Sequence, residues 1–284
     1  MSNAKFFEQA GQLVSGFSLD STEYIEICTS DLGIETHPSN KVYSKDGVIP
    51  KGLRIAYKKG VENSQLFLGK DFRATSSIVN VESSGVLIWI GNKCNLKKLV
   101  LSANRPECKM IIGSGVTTPS NNRWTAGLNA GDTNPSLIVG DHCMFAPDVT
   151  IRLTDGHPVF DMDTNEQINV PKGSVIIEPY VWVGQGAYLT KGVRVGACSI
   201  IGAGSVVTKD VPQRNLSMGV PNSSISLGTK LWSRDYSSES RELMEYYNER
   251  YPYDSPNPIV ENQIGNNENQ NLFGRLIAKL KFKL

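Results

Sequence analysis

The sequence predicts an all-β solenoid, a parallel β-helix, on three observations: a six-residue aliphatic repeat, small or β-branched residues in phase with it, and glycines at the turns. Steps of six from Ile177 give Ile177, Val183, Leu189, Val195, Ile201 and Val207, all aliphatic. The fifth residues of the same units are Val181, Ala187, Val193, Ser199, Ser205 and Val211. Gly184, Gly196 and Gly202 follow the aliphatic position. A period of six fits neither the 3.6 of a helix nor the 2 of an alternating strand. Self-similarity at a fixed period instead marks stacked units that bury their apolar face only against neighbours. Six residues supply a short strand and a turn, so three units close a triangular coil of about eighteen residues. The register then places Val195 over Ile177, Ile201 over Val183 and Val207 over Leu189.

The remaining elements follow in chain order. Residues 1–65 show no repeat and are expected to cap the open end of the solenoid, because an uncovered rung exposes strand edges. Residues 66–225 are expected to form the coil. Looser copies of the repeat stand at Ile90-Gly91, Ile112-Gly113 and Val139-Gly140, and a polar excursion runs near Pro119 to Pro135. Residues 154–174, TDGHPVFDMDTNEQINVPKGS, interrupt the good hexads. Loops of that length inside a compact repeat usually carry function. Residues 226–254 read as a helical extension, 255–271 as a polar linker and 272–284 as a basic amphipathic helix. In that last helix Leu272, Phe273, Leu276, Ile277, Leu280 and Leu284 fill one arc, while Arg275, Lys279 and Lys281 lie outside it and Lys283 intrudes.

Composition excludes several classes. The 284 residues carry a net charge of +1, so no global basic balance points to nucleic acid. The N-terminal stretch lacks a charged start before an apolar core, and no run approaches the ~20 apolar residues that span a bilayer. A cytoplasmic protein is expected. The five cysteines, Cys28, Cys94, Cys108, Cys143 and Cys198, include no C-x-x-C pair, which suggests reduced, partly buried thiols rather than a disulfide framework or a zinc site.

With these residues in view, the segments IRLTDGHPVF and QINVPKGSVIIEPYVWVGQGAYLTKGVRVGACSIIGAGSVVTKDVP resemble the hexapeptide-repeat O-acetyltransferases, especially those that modify bacterial capsule and O-antigen polysaccharides. The resemblance is specific over residues 137–221, weaker over 66–136 and absent at both ends. It implies a left-handed parallel β-helix with an inserted catalytic loop and a C-terminal helical extension. It further implies a homotrimer, acetyl-CoA as co-substrate in the cleft between subunits, a glycan acceptor and no metal.

Carried over residue by residue, the resemblance makes His157 in Asp155-Gly156-His157-Pro158 the catalytic histidine. A sugar hydroxyl must lose its proton as it attacks a thioester, and a neutral imidazole of pKa near ~6.5 suits that task. Asp155 would orient the ring or tune it. The backbone N–H of Gln185, just past the Val-Trp-x-Gly corner, would donate to the tetrahedral oxyanion. Trp182, at an outward position of its hexad, would line the acceptor or CoA cleft. Backbone groups of Ala203, Thr208 and Lys209 would meet the pantetheine arm, with Lys209 also near phosphate. Arg152 and Trp124 are candidates for binding the acceptor. Where related enzymes read Gly-x-Pro-Ala-Lys/Arg, this chain reads Gly219-Val220-Pro221-Asn222, so the phosphate contacts are reassigned to Arg214 or Lys230. His142 is expected to be a surface turn residue, and His37 has no assignment.

Three other readings use the same residues. An N-acetyltransferase on an amino sugar nucleotide would share the cleft. A γ-type carbonic anhydrase needs three zinc-binding histidines in a set geometry, against three in this whole chain, one of them outside the repeat. A non-catalytic scaffold would leave Asp155-x-His157 without a purpose. The terminal basic helix reads either as a peripheral membrane contact, placing the protein at the inner face of the membrane, or as a helix docked on its own trimer.

Overall fold

In the computed structural model, which describes residues 3–128, 131 and 133–253, the chain winds into three β-sheets that form the faces of one coil. The first face stacks Lys41–Ser44, Gln65–Leu68, Leu87–Ile90, Lys109–Ile112, Leu137–Val139, Val175–Ile177 and Arg194–Val195, all parallel. The second stacks Arg73–Thr75, Asn95–Lys97, Thr117–Thr118, Met144–Phe145, Trp182–Val183 and Ile200–Ile201. The third stacks Leu53–Tyr57, Ser77–Val81, Leu99–Ala103, Asn122–Thr125, Thr150–Arg152, Tyr188–Leu189 and Val206–Val207.

The predicted ladders are present: Ile177 pairs with Val195, Val183 with Ile201 and Leu189 with Val207, and all six side chains are buried. They continue upstream through Leu68, Ile90, Ile112 and Val139 on the first face and through Val79, Leu101, Trp124 and Ile151 on the third. The interior is one aliphatic column, each member of which stabilises the fold by about 1.5–3 kcal/mol through removal from water.

The coil begins earlier than the expected boundary at residue 66, because Lys41–Ser44 already pairs with Gln65–Leu68 and Leu53–Tyr57 with Ser77–Val81. The reason is a change of step. Gln65 lies under Leu87 and Leu87 under Lys109, twenty-two residues apart, whereas Ile177 and Val195 are eighteen apart. On the first and third faces the early coils are built on strands of four or five residues, and on the second on three, instead of two, so a six-residue frame loses them. The excursion is displaced as well: residues 122–125 form a strand, and the chain leaves the coil after it.

Both ends are closed. At the start Ile25–Glu26 pairs antiparallel with Lys41–Ser44, and helix α1 (Asn3–Leu13) lays Phe6, Ala10 and Leu13 over the outer side of the first face. At the other end Asn215–Met218 joins the second face and turns back antiparallel into Ser223–Ser226. The expected helical extension contains one helix, α2 (Ser238–Arg250), capped by Ser237, whose hydroxyl accepts from the Ser240 amide. The linker expected at 255–271 and the amphipathic helix at 272–284 lie outside the described residues. Among the described residues no helix is long and apolar enough to cross a membrane.

Candidate active site

The corner between the third and first faces carries the two departures from the repeat, one after Asn122–Thr125 and one after Thr150–Arg152. They stack on each other. A Cβ on Gly127 would meet Thr154 at 2.0 Å, and one on Gly131 would sit 3.2 Å from Val170, so the upper loop lies against the lower through glycine. Gly127 also has φ +78°, a conformation glycine adopts at little cost.

His157 stands exposed on the lower loop. Behind it the chain folds into a small hairpin: the Ile168 amide donates to Val159 O at 2.8 Å and the Asp161 amide to Glu166 O at 2.9 Å. Asn169 ties the hairpin to the His157 turn, donating through Nδ2 to His157 O at 2.8 Å and to Asp155 Oδ2 at 2.9 Å, while its Oδ1 accepts from the Val159 amide at 2.8 Å. Lys191, from the same corner one coil on, pairs with Asp155 Oδ2 and donates to Asn169 O at 2.7 Å. Partial burial opposes the Asp155 charge, but the bonds from Lys191 and Asn169 and the charges of Lys191 and Arg152 outweigh it, and its pKa falls below the usual carboxylate value. Asp155 thus spends its carboxylate on Lys191 and Asn169, two residues sequence reasoning did not single out. Arg152 lies beneath this turn, its Nη2 3.1 Å from where a Gly156 Cβ would project.

A second group gathers on the second face and its corner with the third. Trp182 points outward, 37% exposed, and lines a groove of about 280 Å³ with Lys97, Thr117, Met144 and Ala146. Gln185 and Ala203 follow on successive coils, linked by a bond from the Gly204 amide to Gln185 O at 2.7 Å. At the corner of the first and second faces, backbone donors of Lys70, Asn92 and Ser114 are capped by Asn92, Ser114 and Asp141 side chains from the next coil. Alanine at 203 offers no such cap. Among the described residues the Gln185 and Ala203 N–H groups have no acceptor. The expected site residues therefore fall into two separate groups within the chain, the His157 turn at one corner and Trp182, Gln185 and Ala203 at another, with the whole third face between them.

Several expected site residues stand elsewhere. Trp124 is fully buried, wedged between Leu101 and Ile151 with its ring 4.6 Å from Phe145, so it forms core and cannot touch an acceptor. The amides of Thr208 and Lys209 both donate to Asn222 Oδ1, at 2.8 and 3.1 Å, which leaves their side chains to meet a ligand. Asn222 stands where the expected pattern has alanine, and it serves as a cap. Arg214 is buried, held by carbonyls of Gly228, Asn248 and Tyr251, and cannot reach a phosphate; Lys230 is exposed.

His142 is not a surface residue. It belongs to a ladder of left-handed residues at the corner of the first and second faces, with Lys93, Tyr180, Cys198 and Arg214, and the C-terminal segment covers all of them but the exposed Lys93. Trp232 and Tyr247 stack on Tyr180 at 4.4 and 4.6 Å, the Tyr247 hydroxyl meets His142 Nδ1 at 2.8 Å, and Arg234 donates to carbonyls of Gly115, His142 and Cys143. Nothing in a six-residue pattern announces a partner that arrives a hundred residues later. The four buried thiols, Cys94, Cys108, Cys143 and Cys198, are each pushed up to about 12 by burial and make inert packing.

Comparison with known proteins agrees with the coil. Residues 174–209 match the family described as bacterial transferase hexapeptide (six repeats). The chain is similar to a polysialic acid O-acetyltransferase of Escherichia coli O1:K1, 40% identical over 46% of this chain and 40% of that protein. It is similar also to a galactoside O-acetyltransferase of Lactococcus lactis, 45% identical over 30% of this chain and 40% of that one. The aligned part is thus about two-fifths the length of these relatives. Among solved structures it resembles the polysialic acid-specific acetyltransferase NeuO, with a TM-score of 0.56 and 26% identity over 76% of this chain and 93% of that one. It shares the fold of the polysialic acid O-acetyltransferase OatWY, with a TM-score of 0.61 and 22% identity over 75% of this chain and 96% of that one. By its repeat and by these similarities, the chain resembles hexapeptide-repeat acetyltransferases over part of their length.

Proposed function

We propose that the chain is an acetyl-CoA-dependent O-acetyltransferase acting on a hydroxyl of a bacterial surface polysaccharide or its precursor, with His157 as general base. The observation that carries this reading is the placement of an exposed histidine on the longer insertion of a hexapeptide coil, in a turn fixed on both sides by Asn169. The imidazole takes the hydroxyl proton as the oxygen attacks the thioester carbon, and the N–H of Gln185 holds the oxyanion. As the C–S bond breaks, the imidazolium returns the proton to the departing thiolate, so the imidazole ends neutral and no acyl-enzyme is needed. Trp182, Ala203 and the side chains of Thr208 and Lys209 line the acetyl-CoA side, and Arg152 supports the loop or meets an anionic acceptor. Because the two half-sites lie on different corners of one chain, a homotrimer would complete each site with one corner from each of two copies.

The test uses acetyl-CoA with polysialic acid and with a galactoside as acceptor probes. The wild type is expected to form a base-labile ester on one of them, and His157→Ala to lose about 10²-fold or more of that turnover while keeping its assembly state. A base-stable amide product, no ester on either probe, or near-normal turnover by His157→Ala overturns the reading.

A further inference from the structure

Lys191 sits in a corner whose main chain is already settled: Thr190 Oγ1 donates to Val207 O at 2.8 Å, and Gly192 adopts φ +70°. The returning limb of the His157 loop lies on that corner, with the Lys172 and Gly173 amides 3.5 Å from where a Gly192 Cβ would project. From there one ammonium reaches two points of the loop fourteen residues apart, Asp155 Oδ2 and Asn169 O, and its side chain is only 23% exposed. Asn169 in turn bonds Asp155 and His157 O, the residues on either side of Gly156. The path from the rigid coil to the turn that carries the imidazole therefore runs Lys191, Asp155, Asn169, His157.

We propose that Lys191 and Asn169 are positioning residues that set the His157 turn for proton transfer; the proposal rests on His157 being the base. A partly exposed ion pair contributes little to stability, so the value of this one lies in geometry. A base must come within hydrogen-bond reach of the proton it removes, and a displacement of about 1 Å can cost about 10²-fold in rate. Neither side chain touches the reacting groups in this scheme, so binding of acetyl-CoA is left alone.

Turnover of acetyl-CoA and polysialic acid is measured for Lys191→Met, Asn169→Ala and Lys191→Arg beside the wild type and His157→Ala. Lys191→Met and Asn169→Ala are expected to lower kcat by about 10- to 100-fold with KM for acetyl-CoA within about twofold, and Lys191→Arg to recover most of the loss. Independently of turnover, the imidazole C2–H proton resonance of His157, assigned by its disappearance in His157→Ala, should shift or broaden in the first two variants while those of His37 and His142 stay in place. An unmoved His157 resonance, or unchanged kcat in both variants with His157→Ala inactive, overturns the positioning role and leaves the base standing. A fully active His157→Ala overturns the base itself.

Discussion

Trp124 shows how much of one residue's meaning depends on the step of the coil. Its indole fills the column between Leu101 and Ile151, and its Nε1 is buried without an acceptor among the described residues. The side chain is retained there for volume and costs a hydrogen bond. Trp124→Ala is therefore expected to destabilise the chain by about 3–5 kcal/mol, through lost transfer energy and a cavity, while Trp124→Phe loses clearly less because no bonded N–H is sacrificed. Urea unfolding midpoints decide this; an Ala variant as stable as wild type would put the indole outside the core. Trp182 was legible as an outward residue because eighteen-residue coils keep the six-residue frame. Trp124 was not, because its coil stands between steps of twenty-two and twenty-seven residues, where counting by sixes has no purchase.

At the scale of elements, the segment from Trp232 to Tyr251 straps the coil along a corner that already holds strained residues. His142, Tyr180, Cys198 and Arg214 have φ between +55° and +60°, conformations that cost non-glycine residues free energy, and aromatic stacking with Trp232 and Tyr247 helps hold them. The three short-range ladders and the loop could be read from spacing alone, since both are local in sequence. The strap could not, because its partners at 142 and 180 are defined only by the folded corner. Burial lowers the His142 pKa first of all; Arg234 and Lys93 push the same way and Asp141 opposes them. With the docked value below the ordinary ~6.5, His142 uncovered by the strap binds the extra proton, so the strap's docking is fully stable above about pH 6.5 and weakens as pH falls below it. Hydrogen exchange of α2 amides, corrected for intrinsic rates, should accelerate between pH 7 and pH 5, and His142→Gln, whose amide can still bond the Tyr247 hydroxyl, should flatten that dependence. An equal slope in the variant would assign the effect to another group.

At the scale of the whole molecule, the surfaces left open decide how the half-sites can meet. The first face lies under α1 and the corner beside it under the strap, which leaves the third face, with Tyr188 37% exposed, and the Trp182 edge of the second as the sides open to another copy. That same face separates His157 from Gln185 within the chain, and in the proposed homotrimer a neighbour packed across it would bring its own corner to the loop. The arrangement can be tested without a structure of the assembly. Gln185→Pro deletes the proposed oxyanion N–H and is expected to cost about 10²–10³ in kcat, and His157→Ala deletes the proposed base. If each site takes its base from one copy and its N–H from the next, unfolding and co-assembling the two inactive variants in equal amounts gives sites with both groups intact at about one in four. Specific activity should return to about a quarter of wild type, with each variant alone remaining inactive at the same assembly size. If both groups came from a single chain, every site in the mixture would lack one of them, and the mixture would stay as inactive as its parts.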